Sequence, residues 1–413
     1  MSAPDPLPIR PIDPTEFDAF ADVVQSAFSG PPNPEERELD RRLTEYDRTL
    51  AAYDRDAIVG TAGAFSLQLT VPGGPAPVAG VTIVGVLPTH RRRGVLTGLM
   101  TRQLTDLHEQ EREPVAALWA SEPPIYGRFG YGMAATHLAV GVERGWSAFL
   151  RSAPADPGRL RLETPDKAQP ELDRVYDAVR RKRVGHFERS AGFWEFRLFD
   201  PERQREGAAP LACVLHEAAA GVDGYAIYAT KPHWSDGGPD GTVVVREVIA
   251  QTPGAQAALW RFLLDIDLMA RVTASNLAPD DPLLHLLGDP RRIRPRLSDN
   301  LWVRIVDVGR ALAARCYATP VDVVLEVSDD RCPWNAGRWR LVGDPTGGRC
   351  ERSSAAADLS LTSTELGAAY LGGTSLAALA AAGRVGEHRR GALAAATTAF
   401  GTGGRAPYCP QVF

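Results

Sequence analysis

Residues 81–100, V-T-I-V-G-V-L-P-T-H-R-R-R-G-V-L-T-G-L-M, constrain this chain more than any other stretch. Residues 81–87 are β-branched and apolar and predict a buried strand. Pro88 stops it, a basic turn with one glycine follows, and from Val95 to Glu109 the pattern is that of an amphipathic helix. In that order these parts build a site for a polyanion. The N–H groups of the turn and the helix N-terminus converge on one place, and the helix dipole favours negative charge there. Arg91, Arg92 and Arg93 add donors that suit phosphate oxygens. Two nucleotide motifs are excluded. A Walker loop requires G-x-x-x-x-G-K-[ST] and the lysine is missing; a dinucleotide fingerprint requires three spaced glycines, and only Gly94 and Gly98 are present.

A chain of 413 residues exceeds what one hydrophobic core usually organises, so two or three domains are expected. A net charge of −5 argues against a nucleic-acid partner and is compatible with a cationic substrate. Cys213, Cys316, Cys332, Cys350 and Cys409 are an odd set without C-x-x-C spacing, so neither a disulfide scaffold nor a zinc knuckle is expected, and no metal is assigned. The N-terminal M-S-A-P-D-P-L-P has no basic region or apolar run, and no window reaches 18 apolar residues. The expectation is a cytoplasmic protein without a membrane partner.

Helices are predicted over 14–28 and 35–43, strands over 48–53, 57–71 and 114–120, and a hairpin-like stretch over 137–144. The middle region predicts a helix over 169–183, strands over 211–216, 224–229 and 241–249, and a helix over 253–270. The outline of 242–270 repeats strand, turn and helix, but its turn, A-Q-T-P-G over 250–254, has no arginine. The cluster Arg180, Arg181, Lys182, Arg183 ends a predicted helix, where cations complement the dipole and face water. The Pro/Arg-rich stretch 289–295 reads as a linker. Beyond it come strands over 301–306 and 321–327, a hairpin through 335–341, and a capping box, Thr362 to Glu365, opening a helix with Leu366, Ala369 and Tyr370 buried. The last residues are apolar, aromatic and proline-containing, so they dock into something, whether a site, a neighbouring domain or a subunit.

The string Arg91-x-x-Gly94 after a hydrophobic strand resembles the acetyl-CoA pyrophosphate turn, [QR]-x-x-G-x-[GA], of the Gcn5-related N-acetyltransferases; Leu96 departs from it at the last position. Leu96, W-A-S-E over 119–122, I-Y-G-R-F-G-Y-G over 125–132 and a sequence ending in Phe413 occur together in the Eis (enhanced intracellular survival) acetyltransferases. The chain resembles that family over nearly its whole length. The resemblance implies an α+β architecture in three parts: an acetyl-CoA-binding N-acetyltransferase domain over 1–148, a second acetyltransferase-like domain lacking the CoA turn over 149–290, and a sterol-carrier-like domain with a catalytic tail over 291–413. It also implies acetyl-CoA as acyl donor, aminoglycoside or other polyamine acceptors acetylated at more than one amine, and a hexamer.

Transfer from CoA to an amine needs a base for the acceptor and an acid for the departing thiolate. Tyr126 is the candidate acid, since a phenol with a pKa of about 10 stays protonated at neutral pH. Packing is the alternative role, because Phe129 and Tyr131 beside it read as core. In the family the matching tyrosine is the proton donor. For the base, Glu122 lies next to the site, whereas the resemblance points to the α-carboxylate of Phe413. With a pKa of about 3.5 that group is ionised but weakly basic, and it acts by orienting the amine and relaying its proton through water. For the cofactor, Val84, Gly85 and Val86 should offer backbone groups to the pantetheine arm. Arg91, Arg92, Arg93, Gly94, Val95, Leu96 and Thr97 should hold the pyrophosphate, and Ser121 and Glu122 should lie beside the thioester. Two further readings stay open: an acetyltransferase for protein lysine or another small amine, and a CoA- or lipid-binding protein without turnover.

Overall fold

The computed structural model describes residues 7–31 and 33–413; the first six residues of the N-terminal stretch considered above lie outside them. The chain forms two compact units. One takes the chain up to Ala134 together with Leu301–Gly403 and Phe413; the other takes Ala135–Asn300 and Gly404–Val412.

The first unit is built on a seven-stranded sheet. Its strands are β1 (Ile9–Pro11), β2 (Leu50–Asp54), β3 (Ala57–Val71), β4 (Gly74–Val86), β5 (Val115–Trp119) and β6 (Gly132–Met133), with Leu301–Ile305 inserted between β5 and β6. Three helices, α1 (Phe17–Phe28), α2 (Pro34–Leu43) and α3 (Val95–Glu109), accompany it. Helix α3 follows from its spacing: Val95, Leu99, Met100, Leu104 and Leu107 fall on one face and are buried. It sits close on β3 because Gly60 has no side chain; a Cβ there would lie 2.7 Å from Val95 Cγ1.

Leu301–Ile305 corrects the sequence reading, which gave this strand to the third domain. It pairs antiparallel with β5 from Leu301–Trp119 to Ile305–Val115. A five-residue apolar strand does not reveal in sequence which sheet it completes, and here the partner residues lie 182 to 190 positions upstream. The same unit holds a second, five-stranded sheet of Val321–Ser328, Gly337–Asp344, Gly347–Arg352, Leu359–Thr362 and Gly386–Glu387. The expected capping box is present at Thr362 and Glu365, opening the helix Ser363–Ala369. Buried Arg304 and Asp329 form an ion pair at 2.8 Å, and Asn335 donates to the Ile305 and Val306 carbonyls. Gly132 lies against the helix Ser363–Ala369; a Cβ there would overlap the Thr364 carbonyl oxygen and the Ala368 nitrogen.

The second unit repeats the outline. Its sheet runs in the order β15, β7, β14, β13, β10, β9, β8, formed by β7 (Thr136–Glu143), β8 (Arg159–Glu163), β9 (Ala212–Ala218), β10 (Gly221–Lys231), β13 (Gly241–Ala250), β14 (Met269–Leu277) and β15 (Arg296–Asp299); β11 (Trp234–Ser235) and β12 (Gly238–Pro239) make a separate hairpin. Helices α5 (Pro165–Arg180), α6 (Ala191–Leu198) and α7 (Pro253–Asp265) complete it, α4 (Pro123–Tyr126) being a single turn in the first unit. Four readings change here. The stretch 137–144 is one strand, not a hairpin, and it belongs to this sheet, so the chain leaves the first unit at Ala134 and not near Ala148. Helix α7 ends at Asp265, four residues before a strand that mixed polar and apolar residues concealed. The stretch 289–295 is no open linker but contains a turn of 3₁₀ helix, Pro290–Ile293. Finally, Arg180 and Arg183 do not face water: both are buried, Arg180 pairing with Asp177 at 2.7 Å and Arg183 with Asp280.

Candidate active site

β4 and β5 are parallel neighbours only at Ala79–Ala116 and Gly80–Ala117, after which they part. On its other edge β4 remains paired with β3 out to Val86–Gly60, so among the described residues the β5-facing edge of 81–86 has no strand partner. The pairing with β3 slips between Thr61 and Gly63, and within that bulge Ile83 takes a left-handed φ of 49°. A β-branched residue there is a strained exception. The Thr61 hydroxyl donates to the Ile83 carbonyl at 2.8 Å and helps to hold it. Bulges re-aim backbone groups, here those of residues 83–86 along the open edge of β4.

Beyond β4, Arg92 has φ 62° and Gly94 φ 84°. Gly94 is the N-cap of α3, and among the described residues no side chain caps that end, so its N–H groups face the turn free for a ligand. Arg91 is tied back toward the strand, its Nε donating to the Val86 carbonyl at 3.4 Å. Arg93 turns the other way: its guanidinium lies 3.8 Å from Asp54, which also meets His90 Nε2 at 3.0 Å. The hydrogen bond from His90 lowers the Asp54 carboxyl below its ordinary range.

A cleft of about 400 Å³ opens between the parted strands. Val84, Gly85, Val86, Arg91, Arg92, Gly94, Val95, Leu96, Thr97, Ser121, Glu122 and Tyr126 line it, and Arg93 does not. The sequence reading missed Ala27, Phe28, His90, Ile125 and Arg128, which line it as well. Ala27 and Phe28 close α1, and a Cβ on Gly85 would meet the Ala27 methyl at 2.8 Å. Nothing in the helical pattern of 17–28 marks its last turn as a cleft wall. Ile125 and Arg128 stood within the quoted motif and could have been chosen.

Tyr126 packs in the core and also lines the cleft. It is buried in a cluster with Val81, Met100, Leu118 and Phe129, edge-on to Tyr131 at 6.0 Å, and it also faces the cleft. Burial pushes its phenol up, and the nearby Glu122 carboxylate adds to the shift. Phe413 is not among the cleft-lining residues, but its ring lies at the apex of the opening: a Cβ on Gly80, the last residue of β4 paired with β5, would be 3.1 Å from Phe413 Cε2.

The acetyltransferase (GNAT) domain family matches this chain twice, over residues 8–134 and 185–305, and the sterol carrier protein domain family matches 308–410. N-acetyltransferase Eis of Mycobacterium tuberculosis is 38% identical over 340 residues, 79% of each chain. The chain belongs to the Eis family of N-acetyltransferases. An uncharacterized N-acetyltransferase of Streptomyces avermitilis is 47% identical over 407 residues, covering 98% of this chain and 99% of its own. The crystal structure of Eis1 from Mycobacterium abscessus superposes with a TM-score of 0.84 at 34% identity, covering 98% of this chain and 100% of the other. The Eis architecture accounts for the mixed α+β composition as two GNAT domains and a sterol-carrier-like domain, and the GNAT domains imply acetyl-CoA as substrate. No helix among the described residues is long and apolar enough to cross a membrane.

Proposed function

We propose that this cleft transfers the acetyl group of acetyl-CoA to primary amines of polycationic small molecules, aminoglycosides among them, at more than one position. What supports the reading is the strand gap: an edge of β4 without a strand partner leads to an uncapped helix N-terminus flanked by Arg91 and Arg92, and the Phe413 ring stands at its apex. The pantetheine arm runs along Val84, Gly85 and Val86 as an added strand would. The pyrophosphate rests on the 94–97 N–H groups with Arg91 and Arg92, and Arg93 serves the turn through Asp54 instead. Ser121 and Glu122 flank the thioester.

The amine nitrogen attacks the thioester carbonyl carbon, a tetrahedral intermediate forms, and the C–S bond breaks. Tyr126 gives its phenolic proton to the departing sulfur and is reprotonated by the proton that the newly acylated nitrogen sheds. Because burial favours the neutral phenol, the donor is fully loaded at neutral pH. The α-carboxylate of Phe413 orients the acceptor's ammonium and takes its proton through water. A net charge of −5 and Glu122 at the cleft favour polycations. The active form we propose is a cytoplasmic homohexamer, to be checked by light scattering on the eluting species.

The deciding experiment follows CoA thiol release over a panel of aminoglycosides, linear polyamines and lysine peptides, with the wild-type chain and with one extended by a single glycine after Phe413. We expect turnover with several aminoglycosides and its collapse in the extended chain while acetyl-CoA affinity survives. Unchanged turnover after extension removes Phe413 from the mechanism and makes Glu122 the base. Activity confined to lysine peptides replaces the acceptor class.

A further inference from the structure

The second GNAT sheet has the same parted strands as the first. β13 and β14 pair in parallel from Gly241–Met269 to Val245–Ala274 and no further, and β13 carries a bulge at Arg246 where its pairing with β10 slips. What lies in this second gap is the chain's own tail. Asn276, near the end of β14, donates to the Cys409 carbonyl at 3.3 Å and accepts the Tyr408 hydroxyl on its own carbonyl at 2.6 Å. Asn300 brackets Cys409 as a neighbouring strand would, accepting its N–H at 2.9 Å and donating to its carbonyl at 3.0 Å.

On the β13 side, Glu247 follows the bulge and is buried. Arg189 grips it with two bonds, of 2.9 and 2.6 Å, and donates from Nε to Gln411 Oε1 at 3.1 Å. Gly185 is required here, since a Cβ would come within 2.7 Å of the Tyr408 backbone. The turn that would take a pyrophosphate is also filled from within. Thr252 caps α7 by accepting from Ala255 N–H, and the Asp156 carboxylate lies where a Cβ on Gly254 would be.

We propose that the second GNAT domain is a clamp for the C-terminal tail, the tail taking the gap that acetyl-CoA takes in the first domain, and that Arg189 and Asn300 are positioning residues for acetyl transfer. The clamp holds the tail at Gln411, two residues before Phe413 in the sequence. The catalytic half of this statement rests on the reading of Phe413 as base; the clamp itself does not.

The test uses the full-length protein and two variants, Gln411→Ala on the tail and Asn300→Ala in the clamp, each first shown folded by thermal melting. Carboxypeptidase Y digestion of the native proteins, followed by intact mass, reads tail release without reference to activity. Losing a buried bond to a charged or doubly bonded partner should raise C-terminal digestion by about 10- to 100-fold. In the same variants kcat should fall by about 10- to 100-fold, with the KM for acetyl-CoA within about twofold, because misplacing a reacting group costs turnover and not cofactor binding. Unchanged digestion in Gln411→Ala overturns the clamp even where Asn300→Ala fails to fold. Faster digestion at unchanged kcat overturns the positioning role. If the glycine extension leaves turnover intact while Gln411→Ala still frees the tail, the clamp stands and the base assignment falls.

Discussion

Replacing Tyr126 by Phe separates its packing from the proton donation proposed for it. The ring is 8% exposed and packs among Val81, Met100, Leu118 and Phe129, and the substitution keeps all of that packing, removing one hydroxyl. Stability should therefore change by less than about 1 kcal/mol. The rate should change far more, because a general acid contributes about 10²- to 10⁴-fold, or about 3–5 kcal/mol of barrier. The assay is thiol release at saturating acetyl-CoA and amine, with KM for both substrates and a melting curve on the same preparation. Burial and the Glu122 charge raise the phenol above its ordinary pKa, so deprotonation removes the donor only above the usual phenol range of about 10. The wild-type rate should show no fall from this group as pH rises to about 9.5. A Tyr126→Phe enzyme that keeps more than about a third of wild-type kcat refutes the acid role. One that loses its melting transition with its activity returns the residue to the core.

Arg92→Ala should raise the KM for acetyl-CoA by about 10- to 100-fold with kcat little changed, since a charge-assisted bond worth about 1.5–3 kcal/mol is lost in ground and transition states alike; Arg93→Ala, facing Asp54, should move KM by less than about threefold. Arg304→Met should lower unfolding free energy by about 3–5 kcal/mol in a denaturant titration, because it strands Asp329 as an unpaired buried carboxylate. Gly132→Ala should cost several kcal/mol in the same titration or abolish folding, as its Cβ has only backbone to meet. For Glu247, burial alone would raise the carboxyl, but Arg189, Arg197 and the Tyr225 hydroxyl outweigh it and hold the carboxyl well below its ordinary range. Its stabilising contribution is thus complete above the unfolded carboxyl's pKa of about 4.3 and is lost as pH falls through the folded value of about 2, so digestion of the tail by the acid protease pepsin should rise as the pH is taken from about 4.5 to about 2.

The strand, turn and α3 were legible because local chemistry decides them: a β-branched run, a proline stop and a helical apolar face. The arginine turn was legible as cleft wall but not in its detail, since which guanidinium looks into the cleft depends on the φ of Arg92 and on Asp54, some forty residues earlier. Phe28 as a cleft residue, Leu301–Ile305 in the first sheet and buried Arg183 all depend on partners distant in sequence. The apolar tail announced that it docks, but its seat was not readable. Asn276, Asn300 and Arg189 look like any polar residues until β13 and β14 are seen to part.

The strand borrowed from beyond residue 300 also bears on how the protein is made. Emerging from the ribosome, the amino-terminal third has hydrophobic β5 bare along one side until Leu301–Ile305 has been synthesised, some 180 residues later. At about 5–20 residues per second that is a wait of roughly ten to forty seconds. A nascent chain in that state presents a bare strand edge to its neighbours, so the topology leaves it open to edge-to-edge association until that strand is made. Fragments trimmed to the first acetyltransferase match alone inherit the same bare edge permanently.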